Sequence, residues 1–420
     1  MQIDYGVACC LHERQFLMTC RSVTVSRYDR IDSDFRVSPP LPRHAPPISE
    51  DRMKATQELH NLGQSLWLDN ITRGLLTDGT LARYINELVV TGLTSNPTIF
   101  DQAIRTTVFY DDDIRKKSAA GKSTEDIFFE LAIDDLTQAA ELFRPDYDAT
   151  GGVDGVVSLE VSPLLADDAD GTIHAAQKLH AQANCPNLLI KIPGTAAGVQ
   201  AIEETIFAGV PVNVTLLFSC EHYLAAAEAY LRGIERRIDA GLDPHINSVA
   251  SLFVSRWDHA ISDKVPAELR NRLGIAVAQR TYKAYCELYD SPRWGKLAAA
   301  GARPQRLLWA STGSKDPSAP DTLYVEALAA ADTINTIPEK TLLAFADHGK
   351  VSGTLPADGG DAEKVLAAFR TAGIDDQALA AQLQREGAES FNKSWHSLMQ
   401  CIVEKGQSKP TGTQAEQHGR

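Results

Sequence analysis

The chain has 420 residues, 44% of them hydrophobic, and a formal net charge of −14 at pH 7. That length and apolar content suit one large domain or two ordinary ones. The acidic balance without a basic stripe argues against a nucleic-acid partner, and no run approaches the roughly 18 apolar residues of a membrane helix.

Residues 1–52 differ from the rest of the chain. They show no sustained periodicity, and they include the proline-rich segment SPPLPRHAPPIS. These features indicate a disordered extension or linker, and a mis-assigned start is an equal alternative because Met53 opens an amphipathic helix. No signal-peptide apolar region forms, and the acidic residues are atypical of a transit peptide. The seven cysteines are scattered and fit neither a disulfide framework nor a zinc site, so the sequence predicts a cytoplasmic protein.

From residue 53 to residue 405, short apolar runs alternate with longer helical patterns. The runs typical of strands are SLWLDN (65–70), GLTSNPTIF (92–100), GVVSLEVSP (155–163), NLLIKIPG (187–194), VPVNVTLLFS (210–219), SVASLFVSRW (248–257), RLLWAST (306–312) and DTINTIP (332–338). This alternation predicts a single (β/α)8 TIM barrel with extra helices. A doubly wound sheet is the alternative, although no glycine-rich dinucleotide turn follows the first strand. The polar residues 406–420 are expected to form a flexible tail.

Polar side chains recur near the C-terminal ends of these predicted strands, where such a barrel places its active site. Alternate residues of a strand share a face, so Thr94 and Asn96 are predicted to point inward together, and Ser311 to point the same way as Trp309. Taken singly, an Asp or Asn at a strand end is more often a helix cap or turn former. Their convergence favours a site formed by Asp69, Thr94, Asn96, Glu160, Lys191, Asn213, Thr215, Ser251, Arg256 and Ser311.

Lys191 is the least expected of these residues, because its run is apolar on both faces. That pattern is typical of a central parallel strand, so a role as an edge lysine that guards against aggregation fits poorly. An unpaired ammonium is costly to bury, and a lysine so placed is a candidate nucleophile for a Schiff base with a ketone. Asp69 and Glu160 would then supply acid–base catalysis, and Arg256 with Ser251 would bind a phosphate.

Several motifs resemble those of the transaldolase family, over about residues 58–400. GLTSNPTIF resembles its second-strand signature, LLIKIPGTAAGVQAI the block around its Schiff-base lysine, and NVTLLFS, SLFVSR and WASTGSKDP its fifth to seventh strands. The sequences of these motifs are most similar to those of the larger bacterial, actinobacterial-type form of the family. The resemblance implies a class I aldolase barrel with the lysine on strand four and no metal or other cofactor. It also implies transfer of a dihydroxyacetone unit from sedoheptulose 7-phosphate to glyceraldehyde 3-phosphate in the non-oxidative pentose phosphate pathway.

The resemblance implies catalytic roles for four residues. Lys191 would form the Schiff base, and Asp69 would be the general base that drives C–C cleavage. Glu160 and Thr215 would together position the water that relays protons during imine formation.

The resemblance implies substrate-binding roles as well. Asn96 and Asn213 would hold the three-carbon dihydroxyacetone unit, and Ser251 with Arg256 would bind the terminal phosphate. Some family members carry an arginine shortly after the serine of the seventh strand as a second phosphate contact, whereas this chain offers only Lys315 there.

Two other functions stay open. A simple ketose-phosphate aldolase that releases free dihydroxyacetone would also use Lys191, although the paired carboxylates favour transfer. A catalytically inactive barrel that binds sugar phosphates as a sensor would tolerate the loss of any one polar residue, so the complete set argues against it. The sequence leaves both a monomer and a homodimer open.

Overall fold

A closed barrel of eight parallel strands forms the centre of the molecule in the computed structural model, which describes residues 53–408. Each strand pairs with the next along the chain, and the last pairs with the first. The predicted (β/α)8 barrel is thereby confirmed. The predicted extension, residues 1–52, and residues 409–420 of the predicted tail lie outside the described residues. The strands are β1 (Ser65–Asp69), β2 (Val90–Thr94), β3 (Val156–Glu160), β4 (Leu188–Pro193), β5 (Val212–Leu217), β6 (Ser248–Phe253), β7 (Gln305–Ala310) and β8 (Ile334–Ile337).

Helices occupy most of the chain between these strands. Two short 3-10 segments, Pro163–Leu165 and Ala267–Leu269, add to them. None of the helices among residues 53–408 combines the length and the apolar content that crossing a membrane requires. The helices are α1 (Ala55–Asn61), α2 (Arg73–Thr77), α3 (Thr80–Leu88), α4 (Pro97–Thr106), α5 (Asp111–Ala119), α6 (Thr124–Ala149), α7 (Ala169–Ala183), α8 (Ala196–Phe207), α9 (Cys220–Asp239), α10 (Ser255–Ile261), α11 (Leu273–Tyr289), α12 (Pro292–Ala299), α13 (Leu323–Ala327), α14 (Glu339–His348), α15 (Ala362–Thr371) and α16 (Asp376–Gln407).

Many helices begin where a short polar side chain caps the first turn. The hydroxyl of Thr195 accepts a hydrogen bond of 3.0 Å from the backbone N–H of Gly198 at the start of α8. The hydroxyl of Ser219 accepts from His222 in the same way at the start of α9. Both caps directly follow strands that end at the same edge of the barrel, so they fix where the chain turns away from it.

The barrel interior is filled by large apolar side chains below the strand ends. Trp67 is fully buried there, and a methyl group at the position of Gly92 would lie 2.6 Å from its indole nitrogen. Only a glycine therefore fits beside this ring on β2. The side chains that pack around this interior include Trp67, Val156, Leu189, Val249, Leu308 and Ile334.

The second strand is shorter than the run that predicted it. β2 ends at Thr94, and Asn96 instead caps α4, accepting a 3.0 Å hydrogen bond from the N–H of Ile99. Pro97 occupies the first turn of α4, where its missing N–H costs nothing. The prediction that Thr94 and Asn96 share a strand face is thus wrong for Asn96. The sixth strand is also shorter than its run: β6 ends at Phe253, and Arg256 lies on α10.

The predicted phase of the seventh strand is also wrong. Trp309 faces the helices, since its ring packs against Tyr282 of α11, while Leu308 and Ala310 face the interior. Ser311 nevertheless reaches the inner side, because its backbone adopts a φ of 56° that breaks the alternation. A non-glycine residue in this left-handed region is strained, and such strain often marks functional sites.

The last helix crosses the C-terminal ends of the strands. α16 packs against α4, α5 and α6 and also contacts β5 and α10. The side-chain amide of Gln384 donates to the carbonyl oxygens of Gly194 (3.0 Å) and Leu216 (2.9 Å), which follow β4 and lie within β5. α16 therefore forms part of the wall above the strand ends.

Candidate active site

A cavity of about 230 Å³ opens at the C-terminal ends of the strands. Eight of the ten predicted site residues line it, and the other two, Glu160 and Asn213, contact residues that do. The full lining is Asp69, Thr94, Asn96, Thr98, Ile99, Gln102, Lys191, Thr215, Ser251, Phe253, Arg256, Ala310, Ser311, Gly313, Lys315, Thr336, Pro338 and Phe391.

Lys191 lies on β4 with a side chain that is 6% exposed. Its Nζ is 3.3 Å from Oε2 of Glu160, the residue opposite it in the register of β3 and β4. The same Nζ donates a 3.0 Å hydrogen bond to the backbone carbonyl of Ser95. The expectation of an unpaired ammonium is therefore wrong, because parallel pairing places a carboxylate beside it. These two contacts hold the amine at the floor of the cavity.

Glu160 and Thr215 flank the lysine with unused hydrogen-bonding capacity. Both carboxylate oxygens of Glu160 and the hydroxyl of Thr215 are buried and have no hydrogen-bond partner among residues 53–408. The contact of Glu160 with Lys191 is an ion pair that lacks hydrogen-bond geometry. Burial raises the pKa of Glu160, and the positive charge of Lys191 opposes that rise. Unpartnered buried polar atoms are uncommon, so these three atoms mark a place for a polar ligand or water.

Asp69 ends β1 and is partly exposed to the cavity. Its Oδ1 accepts a 2.9 Å hydrogen bond from the hydroxyl of Thr94, which lies 2.6 Å from the hydroxyl of Thr336. Enclosure by the protein raises the pKa of Asp69, and the charge of Lys191 and the Thr94 hydrogen bond oppose the shift. A carboxyl group with a raised pKa is suited to exchanging a proton with a substrate.

Asn213 connects two serines on neighbouring strands. Its amide nitrogen donates to the hydroxyl of Ser158 (3.0 Å), and its carbonyl oxygen accepts from the hydroxyl of Ser251 (2.7 Å). The hydrogen of Ser251 is thus directed toward Asn213. The chain of hydrogen bonds fixes the orientation of Ser251 where it faces the cavity.

Two cations without partners lie on one side of the cavity. Neither Arg256 nor Lys315 takes part in any of the side-chain hydrogen bonds and ion pairs formed among residues 53–408. The guanidinium of Arg256 lies 5.2 Å from the ring centroid of Phe253. Burial lowers the pKa of Arg256, and the charges of Asp69 and Glu386 oppose that shift. Together with a serine hydroxyl of the same cavity, these two cations provide the hydrogen-bond donors that a phosphate group requires.

Asp258 anchors the short helix that carries Arg256. Its carboxylate accepts hydrogen bonds from the N–H groups of Leu273 (2.8 Å) and Gly274 (3.1 Å) and from the hydroxyl of Tyr324 (2.9 Å). Burial raises the pKa of Asp258 to about 6. α10 is thereby tied to the start of α11 and to α13.

Sequence reasoning missed several residues of this site. Ser95 contributes a backbone carbonyl, so its side-chain type carried little information. Thr336 lies on β8, a strand for which no polar candidate was considered. Phe391 and Gln102 project from helices, and alternation along strands says nothing about them.

Comparison with known proteins gives consistent matches over most of the chain. The family model described as Transaldolase/Fructose-6-phosphate aldolase matches residues 66–402. A transaldolase from Arthrobacter sp. is 46% identical over 353 residues, which cover 82% of this chain and 95% of the relative. Transaldolases from Thiobacillus denitrificans and Saccharopolyspora erythraea are 43% and 44% identical; the matches cover 83% of this chain and 100% and 96% of the relatives. The chain therefore belongs to the transaldolase/fructose-6-phosphate aldolase family, as its strand motifs predicted, and is an enzyme.

Proposed function

We propose that the chain acts as a transaldolase through a Schiff base on Lys191. It transfers a dihydroxyacetone unit from sedoheptulose 7-phosphate to glyceraldehyde 3-phosphate, giving erythrose 4-phosphate and fructose 6-phosphate in the non-oxidative pentose phosphate pathway. The observation that carries this proposal is the setting of Lys191. Its amine lies beside a buried carboxylate, in one cavity with a second carboxylate and two unpartnered cations.

The first step joins the lysine to the ketose. The neutral amine of Lys191 attacks the ketone carbon, and the carbinolamine then loses water to give an iminium ion. Protons must move from the nitrogen to the departing oxygen, and a water held by Glu160 and Thr215 relays them. The unpartnered oxygens of these two residues support this role. Burial, which raises the pKa of Glu160, suits it to exchange a proton with that water.

The second step breaks the bond between C3 and C4 of the ketose. Asp69 removes the proton from the C4 hydroxyl, and C4 becomes the aldehyde carbon of erythrose 4-phosphate, which leaves. The electrons of the broken C3–C4 bond pass to the iminium nitrogen to give an enamine. The enamine carbon then attacks the aldehyde of glyceraldehyde 3-phosphate, and Asp69 returns its proton to the new hydroxyl. Hydrolysis of the second iminium releases fructose 6-phosphate and restores the amine.

The remaining residues bind and orient the sugar phosphate. Asn96 uses its carbonyl oxygen to cap α4, which leaves its amide N–H groups for the hydroxyls of the three-carbon unit, alongside Asn213. Ser251 and Arg256 bind the terminal phosphate, and Lys315 and Ser311 lie in the same cavity lining. Orienting contacts of this kind lower the barrier by holding the reacting atoms in line.

Every group named in this mechanism belongs to a single copy of the chain, which acts as a monomer or a homodimer. We infer a cytoplasmic location from the cysteines. The four in the described part of the chain, Cys185, Cys220, Cys286 and Cys401, are free thiols, which suits a reducing compartment.

The decisive experiment traps the Schiff base. The protein is incubated with fructose 6-phosphate and sodium borohydride, and the adduct is mapped by mass spectrometry, with Lys191→Met as the control. We expect one adduct, on Lys191, that the control lacks. An adduct on another lysine, or none at all, would contradict the proposal. Turnover of fructose 6-phosphate that is equally fast without an aldehyde acceptor would instead indicate a simple aldolase.

A further inference from the structure

Arg256 is held differently from other partly buried arginines of this chain. Arg73, Arg280 and Arg293 each contact at least two carboxylates at 2.6–2.9 Å. Arg256 makes no such contact with any residue between 53 and 408. Its guanidinium instead lies over the ring of Phe253, so packing rather than pairing fixes its direction.

The same guanidinium also lies near Gly387 of α16. A methyl group placed on Gly387 would lie 3.4 Å from Nη1 of Arg256, 3.0 Å from Cδ2 of Leu216 and 3.6 Å from Cε2 of Phe218. Glycine inside a helix is less favourable than alanine, and its backbone conformation here does not require it. The close approach of α16 to these three side chains is what requires a small residue.

α16 is held at this distance on both sides of Gly387. One turn earlier, the amide of Gln384 bonds to two backbone carbonyls at the strand ends. One turn later, Phe391 is 4% exposed and lines the cavity. The helix therefore cannot retreat to make room for a larger side chain at 387 without breaking these contacts. A methyl group there mainly displaces the end of the Leu216 side chain and lies in contact with Arg256, whereas the additional methyl groups of valine extend past this contact and displace the arginine.

We propose that Gly387 is a positioning residue that directs the Arg256 guanidinium into the cavity and thereby sets the preference for phosphorylated over phosphate-free substrates. The inference rests on the proposed function, because Arg256 binds the phosphate in that mechanism. A larger side chain at this position turns the guanidinium away from the cavity without contacting Lys191, Asp69 or Glu160.

The test compares Gly387→Ala and Gly387→Val with the matched control Gly295→Ala. Gly295 lies in α12, and a methyl group there meets no atom within 4 Å. Three quantities are measured: the KM for fructose 6-phosphate, inhibition by inorganic phosphate, and the rate of borohydride-trapped adduct formation from phosphate-free fructose. We expect Gly387→Val to raise the KM for fructose 6-phosphate and the inhibition constant of inorganic phosphate by about tenfold, and Gly387→Ala to raise both by less. Neither variant is expected to change the rate of adduct formation from fructose. The control changes none of the three.

The outcomes separate this inference from the proposed function. If the wild-type protein forms no adduct on Lys191, the proposed function fails first. If wild type forms the adduct but Gly387→Val and Gly387→Ala bind phosphate as wild type does, the positioning role is overturned. An equal loss with fructose and fructose 6-phosphate also overturns it, because a general disturbance of α16 affects both substrates alike. Thermal melting of the alanine variants, which retain the helix, checks that each protein is folded.

Discussion

Both ends of the barrel contain buried carboxylates, but these differ in whether they have hydrogen-bond partners. At the N-terminal end, Asp154 is 6% exposed and accepts hydrogen bonds from the indole of Trp67 (2.8 Å) and the hydroxyl of Thr91 (2.9 Å). The hydroxyl of Ser65 also donates to it, and Arg306 lies 3.9 Å away. This carboxylate has a full set of partners.

At the C-terminal end, several buried polar groups lack hydrogen-bond partners. Glu160 and Thr215 have no hydrogen-bond partner among residues 53–408, and Arg256 faces no acidic partner there. Because a buried unpartnered group is costly, such an arrangement is maintained where a ligand completes it. The contrast separates one carboxylate that holds the fold, Asp154, from one that we propose meets a substrate, Glu160. Trp67, fully buried between the two ends, keeps them apart.

Asp69→Asn gives the largest effect expected from the catalytic end. The substitution removes the base for C–C cleavage, so kcat is expected to fall by about 10²–10⁴-fold while the borohydride adduct on Lys191 still forms. Steady-state kinetics and adduct mapping on the same preparation test this. A variant that no longer forms the adduct would show that Asp69 acts earlier, in imine formation.

The same variant is expected to be more stable than wild type at neutral pH. Burial raises the pKa of Asp69 above its ordinary value of 3.8, so the folded protein keeps a proton that the unfolded chain has released. The stability of wild type therefore falls as the pH rises from about 3.8 through the folded pKa, and Asp69→Asn removes that fall. Urea unfolding at pH values from 4 to 7.5 measures it. Parallel stability curves for the two proteins would contradict the raised pKa.

Asp154→Ala tests the opposite end. Because it removes a buried carboxylate and leaves several donors without an acceptor, we expect the free energy of unfolding to fall by about 3 kcal/mol. The kcat of the folded fraction should be unchanged, since Asp154 lies below Trp67 and away from the cavity. Urea unfolding and activity per folded molecule check both statements. A lowered kcat at undiminished stability would break the contrast between the ends.

Arg256→Gln sharpens the contrast within the catalytic end. Loss of a charge-assisted contact with phosphate is expected to raise the KM for fructose 6-phosphate by about 30-fold, with little change in stability. Stability is spared because Arg256 has no acidic partner to leave behind among the described residues. Michaelis kinetics and thermal melting of the variant provide the test. A large drop in melting temperature would make Arg256 a structural residue like Arg306.

Lys315→Gln gives the smallest effect. Lys315 lines the cavity and has no hydrogen-bonded or ionic partner among residues 53–408, so we expect a rise in KM of about two- to fivefold that shrinks at high salt. The salt dependence is measured with fructose 6-phosphate from 20 mM to about 500 mM NaCl. A salt-independent effect would point to a packing role instead.

Much of the barrel was predictable because parallel strands are buried on both faces and helices separate them. Lys191 was recognisable for the same reason, because it is a charged residue within an otherwise apolar, buried strand. The pairing of Lys191 with Glu160 was not predicted, since it depends on the register between two strands that the intervening helix separates. Strand alternation also failed at Ser311, where a left-handed residue reverses the expected side.

The strand ends were hardest to place. Asn96 follows a run of β-prone residues, yet its ability to cap a helix before Pro97 outweighed the pattern of the strand. α16 carries no local sign that it crosses the barrel, because its contacts with Gly194 and Leu216 join distant parts of the chain. The wall of the cavity thus depended on tertiary packing that periodicity does not encode.

The position of α16 in the chain has a consequence for biosynthesis. A ribosome that has completed β8 has already released the Schiff-base lysine and both carboxylates, but not Gly387 or Phe391. The nascent barrel therefore has its reactive amine before it has the wall that directs Arg256. Synthesis thus completes the wall of the cavity only after all eight strands have been made.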